Sequence, residues 1–165
     1  MIHDRIVIVD TNVISYILKD TPLGRAYAWR LERFDVRLSF VTAGELQYWP
    51  EKNGWGARRR LEFQRSLSRY PVVPYRHGMD KRYAEVTVER ERVGRPLSWP
   101  DRWIATTAAW HDATLVTHDA DFTDIPWLRV ISVSEIDARD DELTRSGASG
   151  RRPPVSGRMR SECSY

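Results

Sequence analysis

Residues 6–10, Ile-Val-Ile-Val-Asp, constrain this chain more than any other stretch. Four successive β-branched apolar residues that stop abruptly read as a fully buried strand. The run ends on an acid, Asp10, and a helical pattern begins at once with Val13. In an open α/β sheet, ligands bind at the carboxyl ends of the strands, so Asp10 stands where chemistry is placed. Aspartate is also a good helix N-cap, and on this stretch alone capping is the simpler explanation. The balance depends on whether other acids fall in equivalent places.

The rest of the chain alternates strands and helices. A short helix over 13–18 is followed by Thr21-Pro22, an N-cap with proline at the first helical position, and a helix over 23–33 that sets Ala26, Trp29 and Arg30 near one face. Residues 36–41 read as a second strand, and Thr42 as the start of the next helix. Pro50 to Gly56 reads as a break. A basic amphipathic helix over 57–69 sets Leu61, Phe63 and Leu67 against its arginines. Residues 71–75, with prolines at 71 and 74, suit an edge strand. Helices over 79–93 and 98–111, a strand over 113–117, the loop His118-Asp119-Ala120-Asp121-Phe122 and a last strand over 128–132 complete the pattern. Such alternation predicts an α/β fold with a mainly parallel sheet. From about Arg139 large apolar residues nearly vanish, and a segment of that composition cannot offset its ordering entropy. The division expected is a folded domain over 1–137 and a disordered Arg/Ser/Gly/Pro-rich tail over 138–165.

Composition narrows the function classes. Hydrophobic residues make up 41% and charged residues 30%, an ordinary globular balance. The lone cysteine, Cys163, excludes a disulfide framework or a cysteine-based metal site within the chain. No apolar run is long enough to span a membrane, and Asp4 and Arg5 interrupt any signal-peptide pattern. A cytoplasmic protein is expected. The net charge is +3, carried almost wholly by arginine, since Lys19, Lys52 and Lys81 are the only lysines. That charge permits a nucleic-acid partner without demanding one.

Four further acids join Asp10. Glu45 lies early in the helix after the second strand, where Thr42-x-x-Glu45 also has capping-box spacing. Asp101 lies in the first turn of its helix, where acids are favoured by the dipole. Asp119 and Asp121 follow the strand that ends at Thr117, in a loop where aspartate is common turn chemistry. Each has a bland explanation. Together they fall on the rim that parallel strands share, and carboxylates gathered there raise one another's pKa. A divalent cation offsets that repulsion. Mg²⁺ or Mn²⁺ takes hard oxygen ligands and assists attack by water on a phosphodiester.

The segments Val9-Asp10-Thr11-Asn12-Val13, Thr42-Ala43-Gly44-Glu45-Leu46, Pro100-Asp101-Arg102-Trp103-Ile104-Ala105 and Leu115-Val116-Thr117-His118-Asp119, with Asp121-Phe122, resemble in order and spacing the PIN-domain ribonucleases of the VapC toxin type, from type II toxin–antitoxin systems. The resemblance covers roughly residues 5–132. It implies a three-layer α/β/α fold and a metal-dependent endoribonuclease using Mg²⁺ or Mn²⁺. The ligands it implies are Asp10, Glu45, Asp101 and Asp119, with Thr11, Asn12 and Thr117 supporting them. The short loop leaves Asp121 as an alternative to Asp119. An RNA substrate (tRNA among the candidates), a cognate antitoxin and a homodimer are the partners implied.

Arg58, Arg59 and Arg60 are candidates to follow an RNA backbone, with Trp49 or Trp55 stacking on bases; a solvated helix face explains them as well. Trp99, Trp103, Trp110 and Trp127 read as core or dimer-interface residues, and His118 as a solvated loop residue. A non-catalytic PIN-like module that holds RNA or protein is the main alternative, and it predicts missing acids. A standalone RNA-processing nuclease is another. A phosphatase with an aspartyl nucleophile needs Asp-x-Asp after the first strand, where this chain has Asn12.

Overall fold

The computed structural model describes residues 6–132; the expected tail over 138–165 lies outside them. β1 (Ile6–Val9) is the middle strand of a five-stranded sheet. Its neighbours are β2 (Asp35–Ser39) and β4 (Thr114–Val116), and the edges are β3 (Val72–Val73) and β5 (Val130–Ile131). The order is β3-β2-β1-β4-β5 and every pair is parallel. The expected parallel sheet is therefore observed, and the proline-flanked strand takes an edge.

The helices are α1 (Thr11–Leu18), α2 (Pro22–Leu31), α3 (Phe40–Lys52), α4 (Ala57–Leu67), α5 (Met79–Arg92) and α6 (Trp99–Trp110), with a 3₁₀ turn at Ala120–Phe122. They make two apolar layers. Ile8 and Leu115 pack with Val86 of α5, Ile104, Ala105 and Ala108 of α6, and Phe122. Val7, Val9 and Val116 pack with Val13, Ile14, Tyr27, Leu31, Leu46 and Leu67, which come from α1 to α4. Successive residues of β1 thus point into different layers, which is why its apolar run is unbroken rather than alternating. Full burial of each such side chain contributes roughly 1.5–3 kcal/mol.

Helix α1 turns sharply into α2. Thr21 caps α2 by accepting from Gly24 N–H at 2.9 Å, with Pro22 next, as its sequence predicts. Gly24 is obligatory, because a Cβ there would lie 1.9 Å from the Tyr16 carbonyl oxygen. The buried face of α2 is Gly24, Tyr27 and Leu31, while Trp29 is exposed.

Several boundaries differ from the sequence reading. The second strand ends at Ser39, and Phe40 and Val41 already belong to α3. The cause is Ser39, whose Oγ accepts from Thr42 N–H at 2.9 Å and so caps the helix; Thr42 caps nothing. α3 also continues through Pro50 to Lys52, although an interior proline costs about 3 kcal/mol. The Pro50 carbonyl still finds donors in Trp55 N–H at 3.0 Å and Arg60 Nη2 at 3.1 Å. Leu61 faces solvent, so α4 buries chiefly Leu67 with Phe63 packed alongside. The last strand contracts to Val130–Ile131 because pairing with β4 involves only Leu115 and Val116. No helix among the described residues is long and apolar enough to cross a membrane.

Candidate metal centre

Asp10 leaves β1 at the carboxyl rim and is 3% exposed. It does cap α1: Oδ1 accepts from Thr11 N–H at 2.6 Å. Its second oxygen serves another purpose. Oδ2 accepts from Thr117 Oγ1 at 2.8 Å, a bond from the exit of β4 to the exit of β1. The backbone makes the same crossing, with Asp10 N–H donating to Val116 O at 2.9 Å. The buried Thr117 hydroxyl also accepts from Asp119 N–H at 3.0 Å, so it joins the two acids. Asp119 Oδ1 in turn accepts from Asp121 N–H at 2.9 Å.

Glu45 reaches the same rim from α3. Its Oε2 accepts from Thr11 Oγ1 at 2.5 Å. Because Ser39 starts the helix, Glu45 lies well past the capping position, and the capping-box explanation for it is removed. Asp101 stands in the first turn of α6, where Ser98 Oγ donates to its Oδ2 at 2.5 Å and accepts from its N–H at 3.3 Å. Ser98 was not foreseen as a partner, though Ser-x-x-Asp ahead of an apolar helix is a legible cap signal.

Two of these acids are shifted by burial and by their neighbours. Burial pushes the Asp10 carboxyl up from 3.8 to about 6; the Thr117 and Thr11 bonds pull it down, and the charges of Asp101 and Asp119 push it further up. Asp101 is also raised, by burial first and then by the charges of Asp119 and Asp121. Asp119 therefore acts on both Asp10 and Asp101, whereas Asp121, which is exposed, acts on Asp101. Asn12 is exposed and makes no hydrogen bond to these acids among the described residues.

Among the described residues no group of three or more His, Cys, Asp or Glu side chains is placed, as the side chains stand, to hold a metal ion. The donor set nonetheless fits Mg²⁺ or Mn²⁺. It is made of carboxylates backed by hydroxyls, and Mg²⁺ commonly binds through one or two carboxylates while keeping several waters. Burial does most to raise the Asp10 and Asp101 carboxyls, and the neighbouring acid charges add to it, so a bound cation would relieve part of the cost of ionising them.

The other candidates lie apart or are occupied. Arg58 bonds Glu62, Arg59 stacks on Trp55 with its guanidinium 3.9 Å from the ring centre, and Arg60 bonds Glu51 and the Trp55 carbonyl. Trp49 and Trp55 are half-buried against Phe63. Trp103 stacks on Tyr83, while Trp99 and Trp110 are exposed and are not core residues of this chain. His118 is exposed as expected, yet its Nδ1 lies 3.2 Å from the hydroxyl of the buried Tyr27. Sequence reasoning missed Tyr27, since nothing local connects it to a residue 91 positions away.

A family model described as the PIN domain matches residues 7–128. The chain is 29% identical over 121 residues to Toxin FitB of Neisseria gonorrhoeae, covering 68% of this chain and 87% of that protein. It is 27% identical over 111 residues to the tRNA(fMet)-specific endonuclease VapC of Shigella flexneri, covering 67% and 84%. Among solved structures, VapBC2 from Rickettsia felis, bound to a DNA fragment from its promoter, superposes with a TM-score of 0.69 at 27% identity, over 77% of this chain and 98% of that one.

Proposed function

The chain belongs to the PIN-domain family, and from that premise we propose that it is a metal-dependent endoribonuclease, the toxin of a toxin–antitoxin pair. The observation that carries the reading is the hydrogen-bond geometry at the strand exits, where Thr117 Oγ1 bonds both Asp10 Oδ2 and Asp119 N–H and Thr11 Oγ1 bonds Glu45 Oε2. Relatives with ribonuclease names, and neighbours solved as toxin–antitoxin complexes, support it. A cytoplasmic location and a homodimer go with the same reading.

Asp10, Glu45, Asp101 and Asp119 would hold Mg²⁺ or Mn²⁺. When bound, the ion supplies Lewis-acid stabilisation of charge on the phosphoryl oxygens and acidifies water for the attack. The chain supplies placement. Thr117 holds Asp10 and Asp119 in one orientation, and Thr11 holds Glu45. Ser98 fixes Asp101 at the positive end of α6. Burial raises the Asp10 carboxyl to about 6 and raises Asp101 in the same direction, so both would gain from a cation beside them. We take Asp119 over Asp121 because its charge reaches both other aspartates.

The experiment is cleavage mapping on total RNA with Mn²⁺ and with EDTA, alongside calorimetric Mn²⁺ titration. Discrete new 5′ ends in Mn²⁺ alone, with saturable Mn²⁺ uptake, are expected. RNA binding without cutting and without metal uptake would instead identify a binding module.

A further inference from the structure

Arg90 is only 2% exposed, in the last turn of α5. Burying a guanidinium is costly unless its donors are satisfied. Among the described residues no carboxylate pairs with it. Its donors go to backbone carbonyls: Nε to Arg95 O at 3.1 Å, Nη1 to Asp124 O at 3.4 Å and Nη2 to Asp121 O at 3.4 Å. The end of α5 is folded back to make this possible. Gly94, at φ +70°, lets Arg95 N–H return to the Arg90 carbonyl at 3.0 Å. Arg95 then adds its own hold, on Asp124 Oδ2 at 2.7 Å.

The residues clamped are those that follow Asp119. Asp121 is held from both sides: its carbonyl accepts from Arg90, and its N–H donates to Asp119 Oδ1. Phe122, fully buried between them and the core, fixes the same turn from below. We infer that Arg90 is a positioning residue for the metal centre, setting the direction of the Asp119 carboxylate through the backbone of Asp121. The inference rests on the acids being that centre. A planar fork can hold two carbonyls of one loop together, whereas a lysine offers a single point charge.

The test is calorimetric Mn²⁺ titration of the full chain as wild type, Arg90→Met, Arg90→Lys, Asp119→Asn and the Arg90→Met/Asp119→Asn double variant. Leu67→Ala, in the apolar layer on the other face, controls for lost stability. Arg90→Met is expected to weaken Mn²⁺ binding about tenfold or more, the range typical of residues that support metal ligands. Arg90→Lys should fall between it and wild type. In the Asp119→Asn background the Arg90→Met change should add less than about twofold, and Leu67→Ala should bind as wild type does. If Arg90→Met does not fold, Arg90→Lys carries the same comparison. Binding by the Arg90 variants within twofold of wild type, or an equal loss in the Asp119→Asn background, would overturn the role of Arg90 alone. No Mn²⁺ uptake by wild type would overturn the reading of the acids, and Arg90's role with it.

Discussion

Thr117 donates its hydroxyl proton to Asp10 Oδ2 at 2.8 Å, across 107 positions of chain. Thr117 Oγ1 also accepts from Asp119 N–H, so one buried side chain sets the relation between two acids that follow different strands. Thr117→Val keeps the shape and removes both functions. The expected result is a folded protein whose RNA cleavage in Mn²⁺ falls about 10–100-fold, while Thr117→Ser retains most activity. Equal activity of the valine and serine variants would contradict the role of the hydroxyl.

Thr11 does for Glu45 what Thr117 does for Asp10. Thr11→Val should raise the Mn²⁺ concentration needed for half-maximal cleavage, and Thr11→Ser should not. A metal titration of the cleavage rate reads the difference.

Stability should carry the signature of Asp10. Its carboxyl titrates at about 6 in the fold, against 3.8 for the ordinary group. The folded state therefore holds an extra proton between those values, and stability falls as pH rises through that window. Above it the buried carboxylate costs about 3 kcal/mol, at roughly 1.4 kcal/mol per pKa unit. Asp101 is shifted in the same direction. In EDTA, Asp10→Asn should melt several degrees above wild type at pH 7.5 and near it at pH 3.5. Mn²⁺ should then stabilise wild type and leave the variant almost unmoved. A gap independent of pH would contradict the burial of charge at Asp10.

Much of this was legible in the sequence because the signals were local. Four apolar residues ending in Asp10, and Thr21-Pro22 before a helix, each encode their own structure. Phe40 and Val41 favour strands, so their sequence extends β2, whereas the cap bond at Ser39 puts them in α3. Pro50 reads as a break because it has no N–H to donate to the preceding turn; α3 nonetheless runs on to Lys52, and the bonds that Trp55 N–H and Arg60 give the Pro50 carbonyl beyond its end are not visible in sequence. In the site, the acids could be found from their places at the ends of elements. Their partners could not: Thr117 to Asp10 and Tyr27 to His118 are contacts that only the folded sheet creates.

The arginines of α4 divide into two kinds. Arg58 is almost wholly solvent-facing, whereas Arg60 closes onto the Pro50 and Trp55 carbonyls. If α4 follows RNA, Arg58→Ala and Arg59→Ala should each raise KM and lower the salt slope of binding by about one, leaving kcat unchanged. Arg60→Ala should instead lower the melting temperature. Filter binding of RNA over a salt series, with thermal melts, separates these outcomes.

The most direct test is single-turnover RNA cleavage by Asp10→Asn and Asp101→Asn at saturating Mn²⁺, with both variants shown to be folded. Loss of at least about 100-fold in each, beyond what outer positions usually cost, is the expected result. Undiminished cleavage by both variants would contradict the assignment of the nuclease centre to these acids.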